Sequence, residues 1–239
     1  MSTFKWIVIC SFLFAGVDFG NAQITSGKIT FERRTNLLKK YDNRRRGRFI
    51  TEKDKYQIDV FNLYFNDTLS VFIPDEDAQQ DHRSWMTTRN QVVQNLSTGE
   101  RTSIISVWGE EVSILDSLVE RKWKITDKRR KIGKYFCTKA MFEYNDTTRI
   151  YAWYCSDIVP SIGPETFRGL PGAILGLATE DGGVVYFAKE LEVMEPRMKK
   201  LIPKASKKKY SQDEFIKLIE ERFGDSPRGA RMVSELLMW

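Results

Sequence analysis

Residues 133–157 read GKYFCTKAMFEYNDTTRIYAWYCSD, and their rhythm decides the fold. Apolar and polar side chains alternate on both sides of Asn145-Asp146-Thr147-Thr148, which is the two-residue period of a strand with one face buried. Asn and Asp tolerate the backbone angles of a tight reversal, so the stretch predicts a hairpin with arms 133–144 and 149–157. A ladder centred on Asp146 sets Cys137 opposite Cys155. That placement suits a cross-strand disulfide in an oxidising compartment, closing about 18 residues and stabilising the fold by about 3 kcal/mol. Two buried free thiols are the alternative.

The same alternation continues outward. Residues 24–34, 56–73, 90–96, 101–107, 111–118 and 122–126 follow it, the second of these breaking into two strands at Asn66-Asp67. A second hairpin, 173–178 against 184–193, closes at Glu180-Asp181-Gly182-Gly183, whose Asp-Gly pair favours a type I′ turn. Residues 37–54, with Arg44-Arg45-Arg46, and the acidic stretch 74–89 read as loops. Helical spacing enters only near the end. Ser211 and Glu214 form a capping box, Phe215, Leu218, Ile219 and Phe223 share one face, and Gly224 stops the helix. Residues 231–239 suit a second short helix. The prediction is a mainly β fold, a curved antiparallel sheet forming an open half-barrel with a C-terminal helix; a closed β-barrel or a β-sandwich is the alternative.

The compartment is read from the first residues. Lys5 precedes an uncharged, predominantly apolar run, 6–17, and small residues at Gly20 and Ala22 follow it, which is the pattern of a secretory signal peptide cleaved after Ala22. The run is too short to span a bilayer as a helix. Three segments result: the signal peptide at 1–22, an antiparallel β domain at 23–202, and a basic linker with a helical extension at 203–239. The chain carries 38 Lys and Arg against 32 Asp and Glu, a net charge of +6. Export argues against a nucleic-acid partner for that surplus, and solubility accounts for it.

Catalytic machinery is missing from the sequence. Zinc needs clustered ligands, and the chain has one histidine, His82. The acidic residues Asp75, Glu76, Asp77 and Asp81 near it lack the turn glycine and terminal glutamate of an EF-hand. No nucleophile elbow, glycine-rich phosphate loop or dinucleotide fingerprint is present. We therefore expect no catalytic residue, metal or cofactor; a hydrolase using His82 and a neighbouring carboxylate is the enzymatic alternative.

The most distinctive segment is 152–175, AWYCSDIVPSIGPETFRGLPGAIL, a strand, a turn-rich bridge and another strand. Gly163, Pro164, Gly169, Pro171 and Gly172 punctuate it. Pro171-Gly172 fits the central pair of a type II turn, and Leu170 before proline is pushed toward an extended conformation. Phe167, Leu170 and Ile174 either pack the core or line a groove.

On these residues the chain resembles the GLPGLI family of exported Bacteroidota proteins, whose motif reads Gly169-Leu170-Pro171-Gly172-Ala173-Ile174-Leu175 here. Trp123-Lys124-Ile125, Cys137-Thr138-Lys139-Ala140, Ala152-Trp153-Tyr154 and Ile162-Gly163-Pro164 follow the family's pattern in order, and Ala173 replaces its usual Leu. The resemblance implies a periplasmic or outer-membrane-associated protein, in a family of no established activity whose members often lie beside TonB-dependent receptors. By fold analogy it also implies the curved sheet of the lipoprotein carriers. The resulting expectation is a non-enzymatic envelope protein that binds an apolar ligand, a lipid or peptide, on the concave face through Trp123, Trp153, Phe167 and Leu170. The alternative is a module docking on an outer-membrane receptor through the basic runs 128–131 and 199–209 and the apolar tail Leu236-Leu237-Met238-Trp239. Asn66, Asn95 and Asn145 stand in glycosylation-like sequons, which ordinary turn chemistry also explains.

Overall fold

The computed structural model describes residues 23–41, 50–79, 82–224 and 226–239. The expected signal peptide and the Arg44-Arg45-Arg46 run lie outside the described residues. Eleven strands run antiparallel: β1 (Gly27–Asn36), β2 (Tyr56–Phe65), β3 (Leu69–Pro74), β4 (Gln91–Asn95), β5 (Glu100–Val107), β6 (Glu110–Ser117), β7 (Lys124–Ile132), β8 (Tyr135–Asn145), β9 (Thr148–Cys155), β10 (Ala173–Thr179) and β11 (Val184–Glu192). A two-residue β12 (Lys209–Tyr210) joins parallel to β6. All belong to one sheet, in the order β12-β6-β5-β4-β3-β2-β1-β11-β10-β9-β8-β7. β12 and β7 stand at opposite ends and do not pair with each other, so the sheet is open; it is neither a closed barrel nor a sandwich.

β1 joins two meanders, pairing with β2 on one side and β11 on the other. Its alternation is that of a strand with one face turned to the core: Ile29, Phe31 and Arg33 are buried, while the residues between them are partly exposed. Phe31, Phe61, Phe72 and Tyr186 interlock on this face, Phe61 and Phe72 stacking at 4.8 Å.

Four helices accompany the sheet: α1 (Leu37–Lys40), α2 (Met198–Leu201), α3 (Gln212–Phe223) and α4 (Pro227–Met238). α3 starts at the expected capping box and stops at Gly224. Its Phe215 and Ile219 pack on Val112 and Ile114 of β6. α4 begins earlier than expected, with Ser226 as its cap and Pro227 in its first turn. It reaches the other side of the sheet, where the Tyr144 hydroxyl of β8 donates to the Ser234 carbonyl at 3.0 Å. β6 and β8 are nine strand positions apart. A flat sheet would separate them by about 43 Å, whereas a helix of α4's length spans about 18 Å. The sheet is therefore strongly curved, with α3 and α4 on its concave side.

Two expectations are corrected. Cys137 and Cys155 do lie side by side and fully buried, but as free thiols rather than a disulfide. They are held as a hydrogen-bonded pair, and that bond, followed by burial, raises the pKa of Cys137, while the same bond lowers that of Cys155. The corner at Pro171 is tighter than a type II turn. The Gly172 N–H donates to the Leu170 carbonyl at 2.8 Å, closing a three-residue turn, and the Ala173 N–H goes instead to Ile158. Gly172 has φ +135° and sits against the Cys155 carbonyl, where a Cβ has no room.

Candidate functional site

The strands place a charged cluster in the floor of the concave face. Arg33 on β1 faces Asp59 on β2, and its guanidinium donates to the Asp59 carboxylate at 2.8 Å. A second carboxylate, Glu165, lies 3.7 Å from the same guanidinium, and Tyr186 on β11 donates its hydroxyl to it at 2.7 Å. Thr87 completes the cluster by donating to Asp59 at 2.9 Å. Burial opposes the charge on Arg33, but Tyr186, Asp59 and Glu165 together outweigh it and hold its pKa above the ordinary range. Burial pushes the Glu165 carboxyl up, against the pull of Arg33 and the hydrogen bonds from Tyr186 and Asn90. One buried cation thus sits between two buried carboxyl groups.

Glu165 is carried by the bridge between β9 and β10, which dips onto the concave face. Its φ is +55°, a left-handed conformation that a buried non-glycine residue holds only under the constraint of its surroundings. The constraint comes from three directions. Gln94 donates to the Glu165 carbonyl at 3.3 Å, Arg121 donates to the Thr166 carbonyl and hydroxyl at 2.8 Å each, and the Thr166 N–H donates to the Trp239 carbonyl at 3.2 Å. Arg121 also covers the Phe167 ring at 4.0 Å.

Between this floor and α4 lies an open cavity of about 1740 Å³. Tyr186 and Trp239 form its inner wall, their rings 5.8 Å apart, and the buried Met86 and the 63 % exposed Trp85 also line it. Trp108 contributes from the β5–β6 turn, held at φ +56° by packing on Phe215 and Phe223. Its indole N–H is buried and has no hydrogen-bond partner among the described residues. A satellite space of about 30 Å³ lies among Arg101, Ser103, Glu165, Glu235 and Trp239, with Arg101 Nε and Ser103 Oγ unpartnered. Its size and polarity accommodate ordered water.

The four residues expected to line a groove are not brought together on one surface. Phe167 and Leu170 are buried in the core. Trp123 packs on Phe142 and Phe167 and donates its indole N–H to the Arg168 carbonyl at 2.8 Å. Trp153 points to the other face of the sheet, where it stacks on Phe187 under Arg130. Within the apolar tail, Trp239 packs on Phe167 and Tyr186, and Leu236 on the α3 cluster. Sequence reading missed Arg33, Asp59, Glu165 and Tyr186. A signal existed for Arg33, which shares the inward parity of Ile29 and Phe31; none existed for Glu165, whose place depends on the path of the bridge.

A model of a family of proteins of unknown function, Porph_ging, matches residues 141–176. That segment runs from the middle of β8 through β9 and the Pro171 corner into β10. No curated protein matches the sequence. Among solved structures, PNGF-II is similar in two crystal forms. The P21 form has a TM-score of 0.55 at 15% identity, covering 78% of this chain and 32% of that one; the C2 form has 0.54 at 16%, covering 78% and 31%. The likeness is one of fold, and the chain spans about a third of the length of PNGF-II. An uncharacterized conserved protein from Thermus thermophilus is similar at a TM-score of 0.42 and 6% identity, over 80% of this chain and 92% of that one.

Proposed function

We propose that this is an exported, non-enzymatic binding protein of the cell envelope, of the GLPGLI kind, whose half-barrel holds an apolar or amphipathic ligand such as a lipid or peptide. The observation that supports it is the cavity of about 1740 Å³ under α4, aromatic on its inner wall and polar at its floor. Ligand sites of this type combine apolar walls with a few fixed polar groups that set orientation. Arg33 and Glu165 are fixed by burial and mutual bonding, and the unpartnered indole N–H of Trp108 offers a further donor. The apolar part of a ligand would lie along Tyr186, Trp239 and Met86.

The test is a titration of residues 23–239 with a long-chain fatty acid, followed by tryptophan fluorescence, beside native mass spectrometry of protein isolated from its own envelope. Saturable quenching that is weakened at least tenfold in Tyr186→Ala is the expected result. No retained ligand and no saturable response would remove the reading.

A further inference from the structure

The hairpin at the edge of the sheet is strongly basic. Residues 124–139, covering β7, its turn and the first part of β8, contain seven Lys and Arg and a single acidic residue, Asp127. Their net charge is +6, and a second basic run, residues 197–209, holds seven Lys and Arg with no acidic residue. β7 is the last strand of the sheet and is exposed over most of its length. Lys124 pairs with Glu143 at 2.8 Å, Arg130 lies over Trp153 and Phe187, and Lys139 lies over Tyr151. Lys128, Arg129, Lys131 and Lys134 have no carboxylate partner among the described residues.

An aromatic side chain stands beside three of these four. Phe136 is 71% exposed, the most exposed large apolar residue described. The register pairs it with Lys131, whose ammonium lies 5.9 Å from its ring, and puts Arg129 on the same face two residues away. Lys134 follows in the turn, at Gly133-Lys134, and lies over Tyr135. Cations on an edge strand discourage pairing with other sheets. That explains the lysines and arginines, but not an aromatic ring kept in water beside them.

We propose that the β7–β8 hairpin is a docking surface for a bilayer carrying anionic lipids, with Lys128, Arg129, Lys131 and Lys134 at the headgroups and Phe136 entering the interface. The charge is complementary to such a surface, and each cation near it strengthens binding by about fivefold. An aromatic ring gains from the apolar side of the headgroup layer, which an acidic protein or a polyanion in solution does not offer. The surface is separate from the cavity, and its test does not depend on what the cavity holds.

The test is vesicle co-sedimentation with residues 23–239, which contain every described element. Vesicles of phosphatidylcholine alone are compared with vesicles containing about 30% phosphatidylglycerol. Binding is expected to the anionic vesicles only, to disappear in about 0.5 M salt, and to fall at least a hundredfold in the triple variant Lys128→Glu, Arg129→Glu, Lys131→Glu. Phe136→Ala is expected to weaken it about tenfold. All four side chains are exposed, so unchanged melting curves verify the fold of each variant. Absence of binding to anionic vesicles, or full binding by the triple variant, overturns the proposal. So does an undiminished Phe136→Ala variant, because the contact would then be that of any polyanion.

Discussion

The guanidinium of Arg33 and the carboxylate of Asp59 meet at 2.8 Å across adjacent strands, with both side chains at most 5% exposed. Their strands are hydrogen-bonded neighbours at the centre of the sheet, so the pair ties β1 to β2 where the two meanders join. Removing one partner leaves the other buried and uncompensated. Asp59→Ala is expected to lower stability by about 3–5 kcal/mol, read from urea unfolding midpoints. Arg33→Met with Asp59→Leu together should recover part of that loss, because two apolar groups leave no orphaned charge between them. A double variant as unstable as the single one would contradict this account.

Glu165 sets a pH dependence. Burial raises its pKa in the folded protein, so the folded state holds this proton more tightly than the unfolded chain. Its contribution is fully present below the ordinary glutamate range, near pH 4.3, and is lost as the pH rises through the folded value. Glu165→Gln keeps a neutral acceptor for Tyr186 and does not titrate. Unfolding midpoints measured at about pH 5 and about pH 8 should therefore show the variant gaining on the wild type at the higher pH. An equal difference at both values would place the proton elsewhere.

The Pro171 corner makes a contrast between two glycines. A Cβ at Gly172 strikes the Cys155 carbonyl, whereas Gly182, at φ +68°, has open space around it. Gly182→Ala is expected to cost about 1–2 kcal/mol, from backbone strain alone. Gly172→Ala adds a backbone collision to that strain and should cost at least twice as much, or leave no soluble folded protein. Thermal melts of the two variants decide the point, and similar losses would show that the corner relaxes.

Trp239 closes the inner wall of the cavity. Trp239→Ala removes a ring packed on Phe167 and Tyr186, and is expected to cost about 3 kcal/mol. Calorimetry of the variant measures the loss. A change below about 0.5 kcal/mol would mean that the ring is not part of the packed structure.

The buried thiols make a chemical prediction. Cys137 and Cys155 are fully buried, and the reactive species is the exposed thiolate, so the folded chain from residue 23 should resist iodoacetamide. Unfolded without reductant, it should take up label at both positions, as mass spectrometry would show. Label only after reduction would mean that the two sulfurs had joined.

Much of the fold was legible in the sequence. The arms of the hairpin at Asn145–Thr148, the Asn66-Asp67 reversal and the Ser211–Glu214 capping box stand where local pattern put them. β7 continued six residues past the expected end at Thr126, because its lysines and arginines face water on both sides and no alternation marks it. Trp153 and Trp239 were readable as apolar but not as to place. The first is turned to the outer face by the parity of β9, and the second is carried to the inner wall by the path of α4.

By itself the sequence determined the strands, the turns and the helix caps, since each depends on sterics and hydrogen bonds among residues a few positions apart. The tertiary structure alone decided the rest. The order of strands around β1, the curvature that lets α4 reach β8, and the meeting of Arg33, Glu165 and Tyr186 join residues more than a hundred positions apart in some pairs. Contacts over such separations are selected by packing of the whole sheet, and no local pattern encodes them.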